Sequence, residues 1–194
     1  MRGPMLYRRP EHVSGGGWTG PYGEITIDAT ERDPRTPTRV AEKSRAWQAV
    51  TAWARDLATL IAGEQPTQHI AVFVPDDDGA GLRLAAQVWG AGEDTGEVVV
   101  GEWVVPLDGS VCGRVYRTGS ATLCSDIAMD PDYRSYPGGR ARSSLTVPVG
   151  PPDGVVAVIN LEAPWVGAFA IRDYERITER AAMACATFPV RDRA

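Results

Sequence analysis

The sequence predicts an α+β domain of three layers, α/β/α, around a central, mostly antiparallel six-stranded sheet. Three observations carry this. Two runs with apolar residues three and four apart stand at the beginning and end of the patterned region. Short β-rich runs joined by hairpin-type turns lie between them. One short helical stretch and one long polar loop interrupt the strands, placed to cover the face that the terminal helices leave bare.

The first helix is expected over Arg39 to Ala62. Thr38 is its N-cap, Gly63 its stop, and Val40, Trp47, Val50, Ala54, Leu57 and Ile61 form its apolar face. Trp47 and Trp53 fall on different faces, one suited to the sheet and the other to a partner helix. Ile70 to Val74 is a strand, and Pro75-Asp76-Asp77-Asp78-Gly79 a turn into a second strand, Leu82 to Trp89. Val98 to Val105 is the third. Ser110 caps a short helix over Val111 to Thr118, which Gly119 ends. Ala121 to Cys124 is a short strand, and Asp126 to Arg142 a long polar loop with Pro131, Pro137, Gly138 and Gly139. Ser143 to Val149 and Val155 to Leu161 form a hairpin. A last amphipathic helix spans Asp173 to Phe188, with Tyr174, Ile177, Ala181, Ala184 and Phe188 in phase.

These elements make residues 38–190 one domain, a size consistent with a chain of 194 residues. Residues 1–37 form an N-terminal extension that is expected to be partly disordered. Its prolines and its Gly15-Gly16-Gly17 run raise the cost of ordering against little apolar filling. Within it, Glu24 to Asp28 alternates enough for a short edge strand, and Tyr7, Trp18 and Tyr22 are suited to docking.

Net charge is -5, which opposes binding to nucleic acid or an anionic membrane. The apolar runs are much shorter than the roughly 20 residues a membrane helix needs. No apolar segment follows Arg8 and Arg9, so a signal peptide is not expected and a cytoplasmic location is. The basic residues are almost all arginine, the coding bias of a GC-rich genome. Three cysteines, Cys112, Cys124 and Cys185, are too few and too odd a count for a disulfide scaffold. His12 and His69 are far apart, and no Cys/His spacing fits zinc, so no metal site is expected.

Four segments in the second half have physical reasons for their residues. In Gly109-Ser110-Val111-Cys112-Gly113-Arg114-Val115-Tyr116-Arg117-Thr118-Gly119, Gly113 lets the short helix approach the sheet and Gly119 takes positive φ at its end. In Asp126-Ile127-Ala128-Met129-Asp130-Pro131-Asp132-Tyr133, the aspartates can accept backbone hydrogen bonds and fix a loop with little apolar filling. Arg142-Ser143-Ser144-Leu145-Thr146-Val147-Pro148-Val149 puts an arginine before a buried strand, positioned to pair with Asp126 or Asp130. Asn160-Leu161-Glu162, then Phe169 and Asp173, lead from the last strand into the last helix. In this order, over residues 98–188, the segments resemble the GAF domain family. Residues 39–97 agree with it in pattern only.

The resemblance implies a GAF-like α/β/α sandwich and a non-catalytic, small-molecule sensing or regulatory module of bacterial sensor type. Its pocket would lie between the sheet and the Pro106–Gly119 and Asp126–Arg142 segments. Trp103, Val111, Val115, Ile127, Tyr133, Tyr136, Ser144 and Asn160 are the lining candidates, with Asp126 and Arg142 as loop-fixing or ligand-binding groups. Arg114, Arg134, Arg140 and Arg142 would give it a positive rim suited to an anionic, nucleotide-like ligand. In some cyclic-nucleotide-binding members the Asn–Phe–Asp stretch adds a Lys after the Asn and a Glu after the Asp. Leu161 and Tyr174 stand there in this chain, so that assignment does not carry over.

The enzymatic alternative lies within the same fold. Ser110-Val111-Cys112-Gly113 resembles the "G-V-C-G" turn of free methionine-(R)-sulfoxide reductases. Their chemistry needs a nucleophilic thiolate and an acid for the sulfoxide oxygen. Their reactive cysteine stands in the loop that here, from Asp126 to Arg142, has none, and their paired carboxylates are reduced to Asn160 and Glu162. A redox switch between Cys112, in the first turn of its helix, and Cys124 is a further candidate. Two buried structural thiols are the bland reading. No Cys-His pair suits a bilin. His69, at the start of a strand, reads as a surface or edge residue rather than a haem ligand.

No kinase, cyclase, phosphodiesterase or DNA-binding pattern follows the last helix, so the output is expected to come from a partner protein. The resemblance implies a homodimer through the terminal helices, packed as a four-helix bundle.

Overall fold

The computed structural model describes residues 39–64, 69–89, 100–134 and 139–189, which belong to a unit spanning Thr38–Ala194. The expected cap at Thr38, the edge strand Glu24 to Asp28 and the first part of the third strand lie outside the described residues.

Helix α1 (Arg39–Glu64) leads into β1 (His69–Pro75), β2 (Gly81–Trp89) and β3 (Val104–Pro106). Helix α2 (Val111–Thr118), β4 (Thr122–Cys124), β5 (Ser143–Val149), β6 (Ala157–Ala163) and α3 (Ile171–Cys185) follow. Among the described residues the six strands form one sheet in the order β3-β2-β1-β6-β5-β4, and every adjacent pair is antiparallel. Two hairpins, β1–β2 and β5–β6, meet at the centre through β1 and β6. This is the α+β sandwich that the pattern of elements predicts.

Alternation along the strands divides the core in two. Ile70, Val72 and Val74 of β1, Leu145, Val147 and Val149 of β5, and Ala157, Ile159, Leu161 and Ala163 of β6 pack against α1 and α3. From the helices come Val50, Ala54, Leu57, Ala58 and Ile61 of α1 and Ile177 and Ala181 of α3. The indole Nε1 of Trp53 donates to Ala184 O at 3.2 Å, and its ring meets Phe188 edge-on at 4.9 Å, which ties α1 to α3. Trp47 lies instead beside Arg83 of β2, 6.0 Å from guanidinium to ring centroid.

The opposite face holds a smaller apolar cluster of Ala71, Phe73, Leu82, Leu84, Val105 and Val158 under Val111, Cys112 and Val115 of α2. Ser110 caps α2 by accepting from Gly113 N at 2.9 Å. A Cβ on Gly113 would stand 2.1 Å from Leu107 O, so the helix approaches the preceding loop as only glycine permits. Gly119, at φ 62°, ends the helix in the left-handed conformation.

Helix α3 begins at Ile171, two residues before the expected start, because Asp173 reaches back. Its Oδ2 accepts from Ala170 N at 2.8 Å, satisfying a backbone donor ahead of the first turn.

Candidate functional site

On the α2 side of the sheet the inward positions change from apolar to polar toward one end. Register places His69 of β1 opposite Glu162 of β6, and Ser144 of β5 on the other flank of Glu162. Asn160 lies between Ala71 and Thr146. All four polar neighbours of this row, His69, Ser144, Thr146 and Asn160, are buried with Glu162.

Burial of so many polar groups requires partners, and most are present. Glu162 Oε1 accepts from Tyr133 Oη at 2.7 Å and from Asn160 Nδ2 at 3.0 Å. Glu162 Oε2 lies 3.3 Å from His69 Nδ1. A carboxylate only accepts, so that ring nitrogen carries the hydrogen. Asn160 Oδ1 accepts from Thr146 Oγ1 at 2.8 Å. His69 also stacks on Trp89, with centroids 4.1 Å apart, and its Nε2 is 3.3 Å from Gln87 Oε1. Ser144 Oγ is the exception, buried without a hydrogen-bond partner among the described residues.

Tyr133 reaches this row from a flap that starts at Asp126. The flap is built by local hydrogen bonds and then latched to α2. Asp126 caps a single 3-10 turn, Ile127–Met129, by accepting from Ala128 N at 3.1 Å. Asp130 accepts from Asp132 N at 3.0 Å. Arg114 of α2 then pairs with Asp130 at 2.5 Å and Asp132 at 2.6 Å. Val111 N, an open donor in the first turn of α2, donates to Asp132 O at 3.1 Å. The Arg114 guanidinium holds the Asp130 carboxyl below its usual value, by hydrogen bonding first.

Between flap, α2 and sheet a cavity of about 20 Å³ remains. Phe73, Trp103, Val111, Cys112, Tyr133, Asn160 and Glu162 are among its walls, with Arg134 at its rim. That volume admits about one water molecule. Phe73 and Trp103 meet edge-on at 5.5 Å. Burial pushes the Tyr133 hydroxyl far up, and the charge of Glu162 adds to it, so Tyr133 is a donor at any ordinary pH. Burial likewise pushes the Cys112 thiol far up, again with Glu162 adding.

Of the expected lining residues, Trp103, Val111, Tyr133 and Asn160 line the cavity. Val115 is wholly buried in the apolar cluster beneath α2 and Ser144 in the sheet row, while Ile127 is half-buried in the flap. None of these three is among the cavity walls. Tyr136 lies outside the described residues.

Two expectations need correction. Arg142 does not pair with Asp126 or Asp130: its side chain is exposed, and among the described residues it binds the flap through its backbone, accepting from Ile127 N at 3.0 Å. Arg114 takes the pairing role, because α2 lies directly against the flap. His69 is not a surface residue; its ring is buried between Trp89 and Glu162. Glu162, His69 and Phe73 were not among the expected site residues. The signal that finds Glu162 is its two-residue spacing from Asn160 within an otherwise apolar strand.

Cys112 and Cys124 are free thiols, Cys112 buried and Cys124 partly so. Among the described residues no group of three histidine, cysteine or acidic side chains is arranged to hold a metal ion, and no helix is long and apolar enough to cross a membrane.

A family model described as the GAF domain matches residues 48–186. The chain belongs to the GAF domain family. GAF domains often serve in sensing and regulation. None of the curated proteins matches the chain. Among solved structures it is similar to a type II free methionine-R-sulfoxide reductase from Thermoplasma acidophilum, at 19% identity and a TM-score of 0.59, over 75% of this chain and 98% of that one. It is similar to the GAF domain of an Acinetobacter phosphoenolpyruvate-protein phosphotransferase at 15% identity and a TM-score of 0.60, over 77% and 91%. It is also similar to the GAF-B domain of DevS from Mycobacterium smegmatis, at 18% identity and a TM-score of 0.55, over 71% and 90%. At such identities the likeness is one of fold, and each activity stays with its own protein.

Proposed function

We propose that this GAF domain is a non-catalytic sensor, in which a small molecule enters between the α2 face of the sheet and the flap. The observation that carries the reading is the Tyr133–Glu162 hydrogen bond of 2.7 Å, which joins the flap to the buried polar row across a cavity of about 20 Å³. A ligand larger than water fits only if Tyr133 leaves Glu162. Occupancy and flap position are then two readouts of one equilibrium.

The output runs through the opposite layer. There α1 and α3 leave Leu60 and Met183 exposed beside a groove of about 550 Å³. A homodimer packs these helices as a four-helix bundle, and a partner protein reads their arrangement. Light scattering at high micromolar concentration tests this part; a strict monomer removes it.

A thiol-based reductase or redox switch is the second reading. It has one observation in its favour, because Cys112 shares the cavity with Tyr133 and Glu162. Against it, the Cys112 thiol is held protonated by burial, whereas a nucleophile needs the thiolate. The flap sequence also carries no second cysteine.

Native mass spectrometry of the purified protein, supplied with fractions of a bacterial metabolite extract, tests the leading reading. The expected result is a non-covalent mass increment that Cys112→Ser retains and Glu162→Gln loses. Turnover of a free sulfoxide that Cys112→Ser abolishes would replace it with the second reading.

A further inference from the structure

We infer that the cavity beneath the flap selects a compact organic cation, an alkylammonium-type ligand whose charged group takes the place of the Tyr133 hydroxyl on Glu162. The inference rests on the sensing reading and adds the sign and size of the ligand.

The inner end of the cavity offers acceptors. Glu162 supplies a carboxylate and is buried, with its neighbour Asn160, on the sheet face. Three donors already converge on that carboxylate, from Tyr133, Asn160 and His69. Only one of them, Tyr133, belongs to a segment that can move without breaking the sheet. Its hydroxyl marks a donor position 2.7 Å from Oε1. An ammonium group at the same position donates as well, and adds a charge that a buried carboxylate favours.

A second observation points the same way. Ser144 Oγ is buried opposite Glu162 with no hydrogen-bond partner among the described residues. Ser144 is not itself a wall of the closed cavity, so its open hydroxyl is reached by a donor, or the water that accompanies it, only once Tyr133 has left Glu162.

The side walls agree. Phe73, Trp103 and Tyr133 present aromatic surface to the cavity, and aromatic faces attract cations. Of the four arginines expected to attract an anion, Arg114 is engaged by Asp130 and Asp132, and Arg140 and Arg142 are exposed and not among the cavity walls. Arg134 sits at the rim, but its side chain is exposed and donates to Pro131 O and Tyr133 O of its own loop, so solvent screens it. A nucleotide-like anion would have to place its charge against Glu162 in a poorly hydrated space. The remaining void is small, so the alkyl part is short.

A charge series of nearly equal size tests this: n-butylammonium, n-butanol and butyrate, each titrated by calorimetry and by ligand-observed NMR. Wild-type protein is expected to bind n-butylammonium at least tenfold more tightly than n-butanol, and butyrate more weakly still. Glu162→Gln is expected to remove that preference. Should this variant fold poorly, Tyr133→Phe gives an independent arm. It removes the hydroxyl that every entering ligand must displace, and is expected to tighten n-butylammonium several-fold while keeping its preference over n-butanol and butyrate. Butyrate or n-butanol binding as tightly as the ammonium, with flap exchange responding, overturns the cationic assignment and leaves the sensing reading standing. Failure of all three probes to bind wild type and Tyr133→Phe overturns the assignment outright. Failure of metabolite fractions to give any mass increment strikes the sensing reading instead.

Discussion

The hydroxyl of Tyr133, on a polar flap, donates to Oε1 of Glu162 on the central strand β6 at 2.7 Å. This one contact joins an irregular loop to a buried polar row of the sheet. The rest of the flap is held from outside, by Arg114 and by the N-terminal turn of α2. Inner and outer fastenings differ in solvent exposure, so they respond to different perturbations.

The outer fastening is acid-sensitive. Asp130 has a lower pKa in the folded state than in the unfolded chain, chiefly because Arg114 hydrogen-bonds to it. Such a group contributes stability that is complete above the ordinary carboxylate value near 4 and is lost as pH falls through the depressed folded value. Arg114→Met is therefore expected to cost about 1 kcal/mol at pH 7, given the partial exposure of the pair. The difference from wild type should shrink toward zero below about pH 4. Urea unfolding at pH 7 and at pH 3 checks this; a difference that does not change with pH contradicts it.

Close approach of α2 to the Leu107 loop depends on the missing side chain at Gly113. The nearest atoms to a Cβ there are backbone, Leu107 O at 2.1 Å and Leu107 C at 2.6 Å. Gly113→Ala must shift the helix or the loop, and an overpacked site of this kind typically costs about 1–3 kcal/mol. Thermal unfolding of the variant should show a fall of several degrees. An unchanged midpoint would mean that α2 does not sit so close.

Thiol reactivity separates the two functional readings. Burial first, and Glu162 second, push the Cys112 thiol far above neutral pH, whereas Cys124 is raised mainly by partial burial. N-ethylmaleimide at pH 7.5 should label Cys112 last of the three thiols, at a rate at least tenfold slower than in urea. Peptide mapping that finds Cys112 labelled first would favour a reactive cysteine and the reductase reading.

The parts of this structure that follow from local chemistry were legible in the sequence. Ser110 and Gly119 bound α2 over Val111–Thr118 as expected, because a cap and a left-handed stop act within a few residues. The strand from Ser143 to Val149 was equally plain. The last strand was expected to end at Leu161 and runs to Ala163. A glutamate reads as a strand end, and Glu162 is buried only because His69 and Tyr133 arrive from distant parts of the chain. The same long-range stacking and pairing turned His69 from an expected surface residue into a core one. The choice of Arg114 over Arg142 as the partner of Asp130 depends on where α2 lies against the flap, which no spacing along the chain encodes.

The most direct test of the account is amide hydrogen exchange on Tyr133→Phe, which deletes one hydroxyl and leaves the ring. Flap amides, with Ile127 bonded to Arg142 O as the reporter, should exchange at least fivefold faster than in wild type, while those of β1 and β6 keep their protection. Unchanged flap exchange would contradict the account, because the contact to Glu162 would then have no part in holding the flap closed.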